Sequence, residues 1–333
     1  MLLHSKFDKK EIQTEKNVVI EEITMDRDHP SHHVAELAYS ALFSGNRLSQ
    51  PVGGSDETIK NYTHSDIIKY YKYFYRPENM VISIASNISF KKIVNFISKQ
   101  SISKIKTDKP TIHEFFSDSN EDINKDVMIL KNMKLDHVHM ALGFRICGRH
   151  NTDVYALKLL EVILASNMSS LLFTNLREKH GLTYSVSVFN SAYQNHGGFI
   201  ILTSVDKTKL FNKGRKKGAF DVVIETLLEL YKNGVSLKQL KLAKGFLKGM
   251  LTLSLENSDT ITAINGSHHL FDNNDKDVPL TELYNLRYKH LTRASINKVI
   301  RKYILKKNIG SAFIGTNITK TRKIISTKLN KFK

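Results

Sequence analysis

Apolar residues recur at helical spacing over much of the chain, and shorter runs alternate in the manner of strands. In the first hundred residues this pattern predicts helices over 8–24, 30–43, 64–75 and 90–99. Thr63 and Asp66 stand where a capping box would open the third helix. The apolar run Val81–Ala85 follows that helix and predicts a short strand.

The later part of the chain mixes strands with helices. Predicted strands are Val127–Leu130, His137–Phe144, Tyr184–Asn190, Gly198–Val205 and Ile309–Ile314, and predicted helices lie over 152–165, 169–179, 217–232, 237–254, 259–271 and 293–304. Between the two parts, residues 101–122 are rich in Ser, Lys and Asp, which is typical of a linker. We therefore predict an α+β fold with a first domain over 1–100 and a second over 123–333.

The chain also contains an internal repeat. A shift of 229 positions places Thr63 on Thr292 and Asn79 on Asn308, with Ile and Lys matching between them. In both copies a helix that follows Thr runs into Asn and then a short apolar strand. This shared order favours duplication of one fold, so we expect two homologous domains, each an antiparallel sheet with helices on one face.

The composition limits the class of protein. Apolar residues make up 41% of 333 residues, which is enough for a packed core, and Cys147 is the lone cysteine. A single cysteine cannot form an internal disulfide, so we expect a reducing compartment and an inert thiol. No apolar run approaches the roughly 20 residues of a membrane-spanning helix, and we see no secretory leader. The sequence therefore predicts a soluble, intracellular protein of undefined compartment.

A net charge of +18 raises the question of a polyanionic partner. The basic residues are mostly Lys and are spread along the chain, with short concentrations at Lys213–Lys217 and Lys320–Lys333. No nucleic-acid-binding motif accompanies them, so a solvated lysine-rich surface is the favoured interpretation. A basic nucleic-acid-binding protein stays open as the alternative from another class.

Two glutamates on the first predicted helix are candidate metal ligands. Glu15 and Glu22 are seven residues apart, which is about two helical turns, so they share a face. That face also carries apolar residues, and we expect the carboxylates to be partly buried and to need a charge partner or a metal. Two glutamates on a solvated helix are the plainer alternative. The pair His32 and Glu36 has ligand spacing too, although a solvated face is again the simpler interpretation.

Several segments resemble the pitrilysin, insulinase and mitochondrial-processing-peptidase family of zinc metallopeptidases. Glu15–Ile23 resembles its zinc-ligand segment, Gln50–Gly54 its Pro-x-x-Gly loop, and Tyr75–Met80 its Tyr-x-Pro-x-Asn-Met helix end. Leu176–Ser185 (LREKHGLTYS) is similar to its second-domain motif Leu-Arg-Glu-x-x-Gly-Leu-x-Tyr-Ser. Each match is short, and the set covers nearly the whole chain in the family's order.

The resemblance implies roles for four residues. Glu22 would complete a Zn²⁺ site, Glu15 would support it from behind, and Arg177 and Tyr184 would reach the substrate from the second domain. The family's His-x-x-Glu-His motif would supply two zinc ligands and the residue that polarises water. Only 21 residues precede Glu22, and the motif does not occur in the sequence. We therefore expect no peptidase activity from this chain and doubt that it holds zinc.

Two hypotheses of this class remain open beside the nucleic-acid alternative. One is a zinc endopeptidase whose amino-terminal segment is missing from this chain. The other is a non-catalytic subunit that binds peptides or a partner protein, as a homo- or heterodimer. Both imply a peptide or protein substrate, and neither involves a membrane.

Overall fold

The structure is a computed structural model that describes residues 2–105, 127–271 and 278–333. Its contacts divide the chain into two compact units. Unit 1 comprises Met1–Thr24, Gly53–Asn120 and Leu251–Leu283, and unit 2 comprises Met25–Val52, Glu121–Met250 and Tyr284–Lys333. Most of the predicted linker, residues 106–122, lies outside the described residues. The domain boundaries at residues 100 and 123 therefore stay a prediction.

A five-stranded sheet forms the centre of unit 2. The strands are β1 (Val127–Asn132), β2 (His137–Cys147), β3 (Val186–Ala192), β4 (His196–Asp206) and β5 (Ile309–Gly315), in the spatial order β1-β5-β2-β4-β3. All neighbours pair antiparallel except β1 and β5, which are parallel. The α+β class predicted from the sequence is confirmed.

Most helices of unit 2 follow the apolar runs seen in the sequence. They are α2 (Pro30–Leu42), α6 (Asp153–Ala165), α7 (Leu171–Phe173), α8 (Ala219–Asn233), α12 (Arg293–Tyr303) and α13 (Arg322–Leu329), and α11 (Leu283–Arg287) belongs to unit 2 from Tyr284 onward. An aromatic cluster forms on one face of the sheet, where Phe220 of α8 meets Phe313 edge to face with ring centroids 5.3 Å apart. Phe332 packs in the same manner on Phe144. Full burial of such side chains contributes roughly 1.5–3 kcal/mol each.

The opposite face of the sheet is partly covered by α2. Val34, Ala38 and Leu42 of this helix are buried together with Ala141, Ala312 and other residues of that face. Gly310 permits this approach, because a Cβ there would lie 2.5 Å from the Leu42 backbone. The sequence placed residues 30–43 in the first domain, whereas their packing groups them with the sheet of unit 2.

The carboxyl-terminal basic run is a packed helix and not a solvated tail. Ile325 and Leu329 of α13 are buried in unit 2. Lys328 pairs with Asp221 of α8, which is itself buried. Ile325, Leu329 and Phe332 are four and three residues apart, which is helical spacing. From the sequence, only the lysines of this segment were considered, and the helix was not predicted.

Unit 1 is built from helices in the described residues. They include α3 (Asp56–Asn61), α4 (His64–Phe74), α5 (Phe90–Ile97) and α10 (Ser258–Leu270), while α1 (Lys9–Asp28) and α9 (Leu237–Ser254) contain residues of both units. The described part of unit 1 contains no strand, so the predicted strand Val81–Ala85 is wrong. Its apolar side chains Val81, Ile82 and Ile84 are exposed. A strand requires a hydrogen-bonding neighbour, which an apolar run cannot supply by itself.

The predicted repeat appears in the structure as a duplicated local module. Thr63 and Thr292 cap α4 and α12, each with a complete capping box and eleven helical residues after it. A short 3₁₀ turn ends each copy at Asn79 or Asn308. Both Asn side chains donate to the carbonyl oxygen of the last helical residue, at 3.3 Å for Phe74 and 2.9 Å for Tyr303. The copies differ afterwards, where only the second continues as a strand.

Candidate functional site

Arg177 lies where a helix ends in a wide turn. The three residues of α7 pass into a π-helical turn, Thr174–Glu178, whose Leu176 is buried while Arg177 faces solvent. The amide of Leu182 donates to the Leu176 carbonyl at 2.8 Å and closes this end. Gly181 has φ +56°, a left-handed conformation that suits glycine. The two leucines and the glycine of the Leu-Arg-Glu-x-x-Gly-Leu motif are therefore explained by the turn that they form.

The same turn brings Tyr184 beside Arg177. Arg177 Nη1 donates to the Tyr184 carbonyl at 3.3 Å, and the guanidinium lies 5.1 Å from the centre of the Phe173 ring. The Tyr184 side chain is not held by the core, since the residue is 87% exposed. Both residues line a cleft of about 580 Å³ within unit 2. The two residues therefore open onto one cleft, and their role toward a substrate stays a prediction.

Threonine hydroxyls shape the floor of the cleft. β3 begins at Val186, two residues later than predicted, and the segment before it is bonded to β4 through side chains. Thr183 Oγ1 donates to the Ser204 carbonyl at 2.7 Å, and Thr203 Oγ1 donates to the Ser185 carbonyl at 2.7 Å. These bonds satisfy backbone acceptors that strand pairing would otherwise use. The regular ladder therefore stops at the cleft, where Tyr184 turns outward.

The sequence reasoning missed other residues of this cleft. His137 and His139 of β2 line it, together with Asp206 at the end of β4 and Lys209 just beyond that strand. The sequence could have indicated that His137 and His139 lie together, because residues two apart on a strand share a face. Burial lowers the pKa of His139, and the neighbouring His137 lowers it further. The cleft is thus rich in basic and imidazole groups.

Glu15 and Glu22 lie on α1 two turns apart, as predicted. Both are exposed, so the expectation that they are partly buried is wrong. Helical spacing fixes which face the two carboxylates share, but burial of that face depends on what packs against it. In the described residues no group of three His, Cys, Asp or Glu is placed to hold a metal ion. The donor set around Glu22 therefore does not fit zinc within this part of the chain.

The other candidate ligands have different contacts. His32 Nδ1 lies 2.8 Å from Asp26 Oδ1, and Glu36 lies 4.0 Å from Arg27. This geometry agrees with the solvated-face interpretation of the His32 and Glu36 pair. Cys147 is half-buried, and burial raises the pKa of its thiol, so it is a poor nucleophile.

Comparison with known proteins identifies the family of this chain. The peptidase M16 inactive domain matches residues 61–247. The uncharacterized zinc protease YmxG of Bacillus subtilis is 32% identical over 81% of this chain and 63% of its own length. An uncharacterized zinc protease of Rickettsia felis is 30% identical over 65% of this chain and 52% of its own length. The chain belongs to the peptidase M16 family, which confirms the resemblance in the sequence.

Solved structures show the same fold. A protease from Helicobacter pylori superposes with a TM-score of 0.78 at 19% identity, over 92% of this chain and 72% of that one. A chain of complex III2 from Candida albicans, with Inz-5 bound, gives a TM-score of 0.73 at 13% identity over 96% and 74%. This chain spans roughly half to two-thirds of the length of the curated relatives named above.

The nucleic-acid alternative gains no support from these relatives. In the part of the chain that the structure describes, every helix is too short or too polar to cross a membrane.

Proposed function

We propose that this zinc-protease-like chain binds extended peptides in the cleft of unit 2 and does not hydrolyse them by itself. The observation that carries the proposal is the pairing of Arg177 with the Tyr184 carbonyl, beside an aromatic ring that is 87% exposed. A large exposed aromatic side chain at a cleft is typical of a binding surface. A cleft of about 580 Å³ also falls within the range of known ligand sites.

The two side chains offer complementary groups to a peptide. The Arg177 guanidinium has further N–H groups beyond the one that holds the Tyr184 carbonyl, and these can donate to peptide carbonyls. The Tyr184 ring supplies apolar contact and a hydroxyl that can donate or accept. Loss of one charged hydrogen bond to a peptide costs roughly 1.5–3 kcal/mol, which is about a ten- to hundredfold loss of affinity.

The test measures the binding of fluorescein-labelled peptides by anisotropy. Arg177→Gln and Tyr184→Ala should each weaken binding about tenfold or more. Arg215→Gln and Tyr70→Ala are matched controls, because both residues are exposed and neither lines the cleft. Equal binding by the wild type and the two cleft variants would refute the proposal.

Catalysis is a separate part of the proposal. Activation of water at zinc needs several protein ligands and a general base, and Glu22 has no such companions in the described residues. We therefore propose that Glu22 binds zinc, with Glu15 as its supporting residue, only when a His-x-x-Glu-His segment is also present. The purified chain with added zinc should leave a quenched peptide library intact. Chelator-sensitive cleavage well above that of Glu22→Gln would contradict this.

A partner subunit is the second candidate function. In the described residues Glu22 has no companion ligands, and the cleft around Arg177 and Tyr184 could bind peptide or protein without a metal. A homo- or heterodimer with a related chain is the form we propose. Light scattering on the purified chain, alone and after mixing with an active relative, tests this, and a monomer in both samples would argue against it.

A further inference from the structure

We propose that the cleft of unit 2 selects peptides that present a carboxylate, which Lys209, His137 and His139 recognise beside Arg177. This inference rests on the proposed peptide binding and adds the chemical class of the ligand. The carboxylate can belong to an acidic side chain or to a peptide carboxyl terminus. Both offer the same pair of anionic oxygens, so the experiment separates the two sources.

The first support is the convergence of these groups. His137 and His139 alternate on β2 and so project from one face of the sheet. In the β2–β4 ladder, His139 is opposite Ser204 and His137 is opposite Asp206. Lys209 lies just beyond β4, where its Nζ donates to the Gly181 carbonyl at 3.3 Å. Strand register and two turns thus bring four basic or imidazole side chains, including Arg177, to one cleft.

The second support is the balance of charge. Asp206 is the one carboxylate among the residues that line the described cleft. Its Oδ1 accepts from the amide and hydroxyl of Thr208 at 2.7 and 2.6 Å, and the hydroxyl bond holds the Asp206 pKa below its usual range. Within the described chain, Arg177 and Lys209 form no ion pair with a carboxylate. Lys209 attracts Asp206 without an ion-pair contact, so both cations keep N–H groups that can donate to a ligand.

His139 makes this recognition dependent on pH. Burial lowers the pKa of His139 below its usual value, with the neighbouring His137 as a second cause, so its imidazole is neutral at neutral pH and gains a proton only as the pH falls. The charged groups that face it are His137 on its own strand, Asp206 on β4, and Arg177 and Lys209 across the cleft. Protonation adds positive charge to the cleft. Affinity for a carboxylate should rise as the pH falls, until the ligand itself is protonated near pH ~4.

A non-specific attraction to a cationic protein would give a different result. The net charge of +18 attracts any anion, and such attraction falls with salt and responds equally to any surface lysine. Lys213 provides the matched control. It is exposed in the loop before α8 and does not line the cleft.

The experiment uses four labelled decapeptides of Ala, Ser and Val with a single variable position. That position is Glu or Gln, and each peptide ends in a free carboxylate or an amide. Anisotropy is read at about 150 mM salt, at about pH 7.5 and about pH 5.5. We expect a preference of about three- to tenfold for the Glu or the free-carboxylate peptide, larger at the lower pH. Whichever arm shows the preference identifies the source.

Variants then assign the preference to residues. Lys209→Gln should reduce it at both pH values, and His139→Gln should abolish its rise at low pH. Lys213→Gln should leave it unchanged. If peptides bind and depend on Arg177 but show no preference, the inference fails while the proposed function stands. If Lys213→Gln weakened the preference as much as Lys209→Gln does, the preference would come from the general surface charge and the inference would be overturned. If no peptide binds at all, the proposed function itself fails.

Discussion

Replacement of Gly310 by Ala tests whether α2 is part of the unit 2 core. Gly310 is buried on β5 between β1 and β2, and its face of the sheet receives the end of α2. An added Cβ would lie 2.5 Å from both Cα and N of Leu42 and 2.9 Å from the Ala41 carbonyl carbon. These are backbone atoms, so no side-chain rotation can relieve the contact. The helix would have to move away from the sheet.

The expected cost follows from that displacement. Cβ atoms rarely approach closer than about 3.4 Å, so α2 must retreat by roughly 1 Å, which loosens the burial of Val34, Ala38 and Leu42. Overpacking of this kind costs about 1–3 kcal/mol. A reduced entropy of the unfolded chain returns up to about 1 kcal/mol. We therefore expect Gly310→Ala to lower the free energy of unfolding of unit 2 by about 1–2 kcal/mol.

Cys147 gives an assay that is specific to unit 2. This lone cysteine ends β2 and is half-buried, so its rate of reaction with a thiol reagent reports the opening of that sheet. Reactivity is measured against urea for the wild type and for Gly310→Ala. Gly245→Ala is the control, because a Cβ at Gly245 in α9 meets nothing within 4 Å and should stabilise the helix by up to ~1 kcal/mol. If Gly310→Ala matched the wild type while Gly245→Ala behaved as expected, the placement of α2 on this face would be wrong.

Three further predictions concern unit 2. Burial and Lys131 lower the pKa of His33 from 6.5 to about 4, so the unfolded chain is protonated first and stability should fall as the pH drops from 6.5 to about 4. Chemical denaturation at several pH values should show a flatter dependence for His33→Gln, and an unchanged slope would contradict the reasoning. Asp221→Ala leaves the half-buried Lys328 without its partner and should cost up to about 3–5 kcal/mol, whereas a Tm close to that of the wild type would show a solvated pair. Thr292→Ala removes the cap of α12 and should cost about 1 kcal/mol in the Cys147 assay; Thr292→Ser should restore stability if the hydroxyl is the cause.

Helix caps and helices were predictable from the sequence, whereas the hydrogen-bonded pairing of strands was not. The caps at Thr63 and Thr292 and the helices after them depend on residues three or four positions apart, and both appear as expected. The runs Val81–Ala85 and Ile309–Ile314 are equally apolar, yet only the second is a strand. The second copy lies between β1 and β2, which hydrogen-bond both of its edges. An apolar run therefore indicates the capacity to form a strand, and the partners determine whether it does.

The candidate site divides in the same way. Arg177 and Tyr184 were found because one turn with Gly181 at its apex connects them, and the ten residues Leu176–Ser185 contain the whole motif. His137 and Lys209 are more than seventy residues apart in sequence and share the cleft only through the β2–β4 register. No local window of sequence contains that information. The charged groups that would set ligand preference were therefore hidden, while the motif that marks the family was visible.

The position of α2 shows how such non-local information can still be present in the sequence. Gly143, Gly198 and Gly310 occur in three different strands, and a glycine within a strand ordinarily weakens it. In the sheet, Gly143 pairs with Gly310, and Gly198 of the adjacent strand β4 lies opposite Arg145, two residues along β2 from Gly143. An added Cβ at any of the three would meet Leu42 within 3.4 Å. All three positions face α2, and the absence of side chains there lets the helix pack closely on the sheet. The apolar burial gained by this packing offsets the destabilisation that each glycine causes in its strand. A glycine on the same face of several strands thus predicts the close approach of another element, although the strand order must be known before that pattern can be recognised.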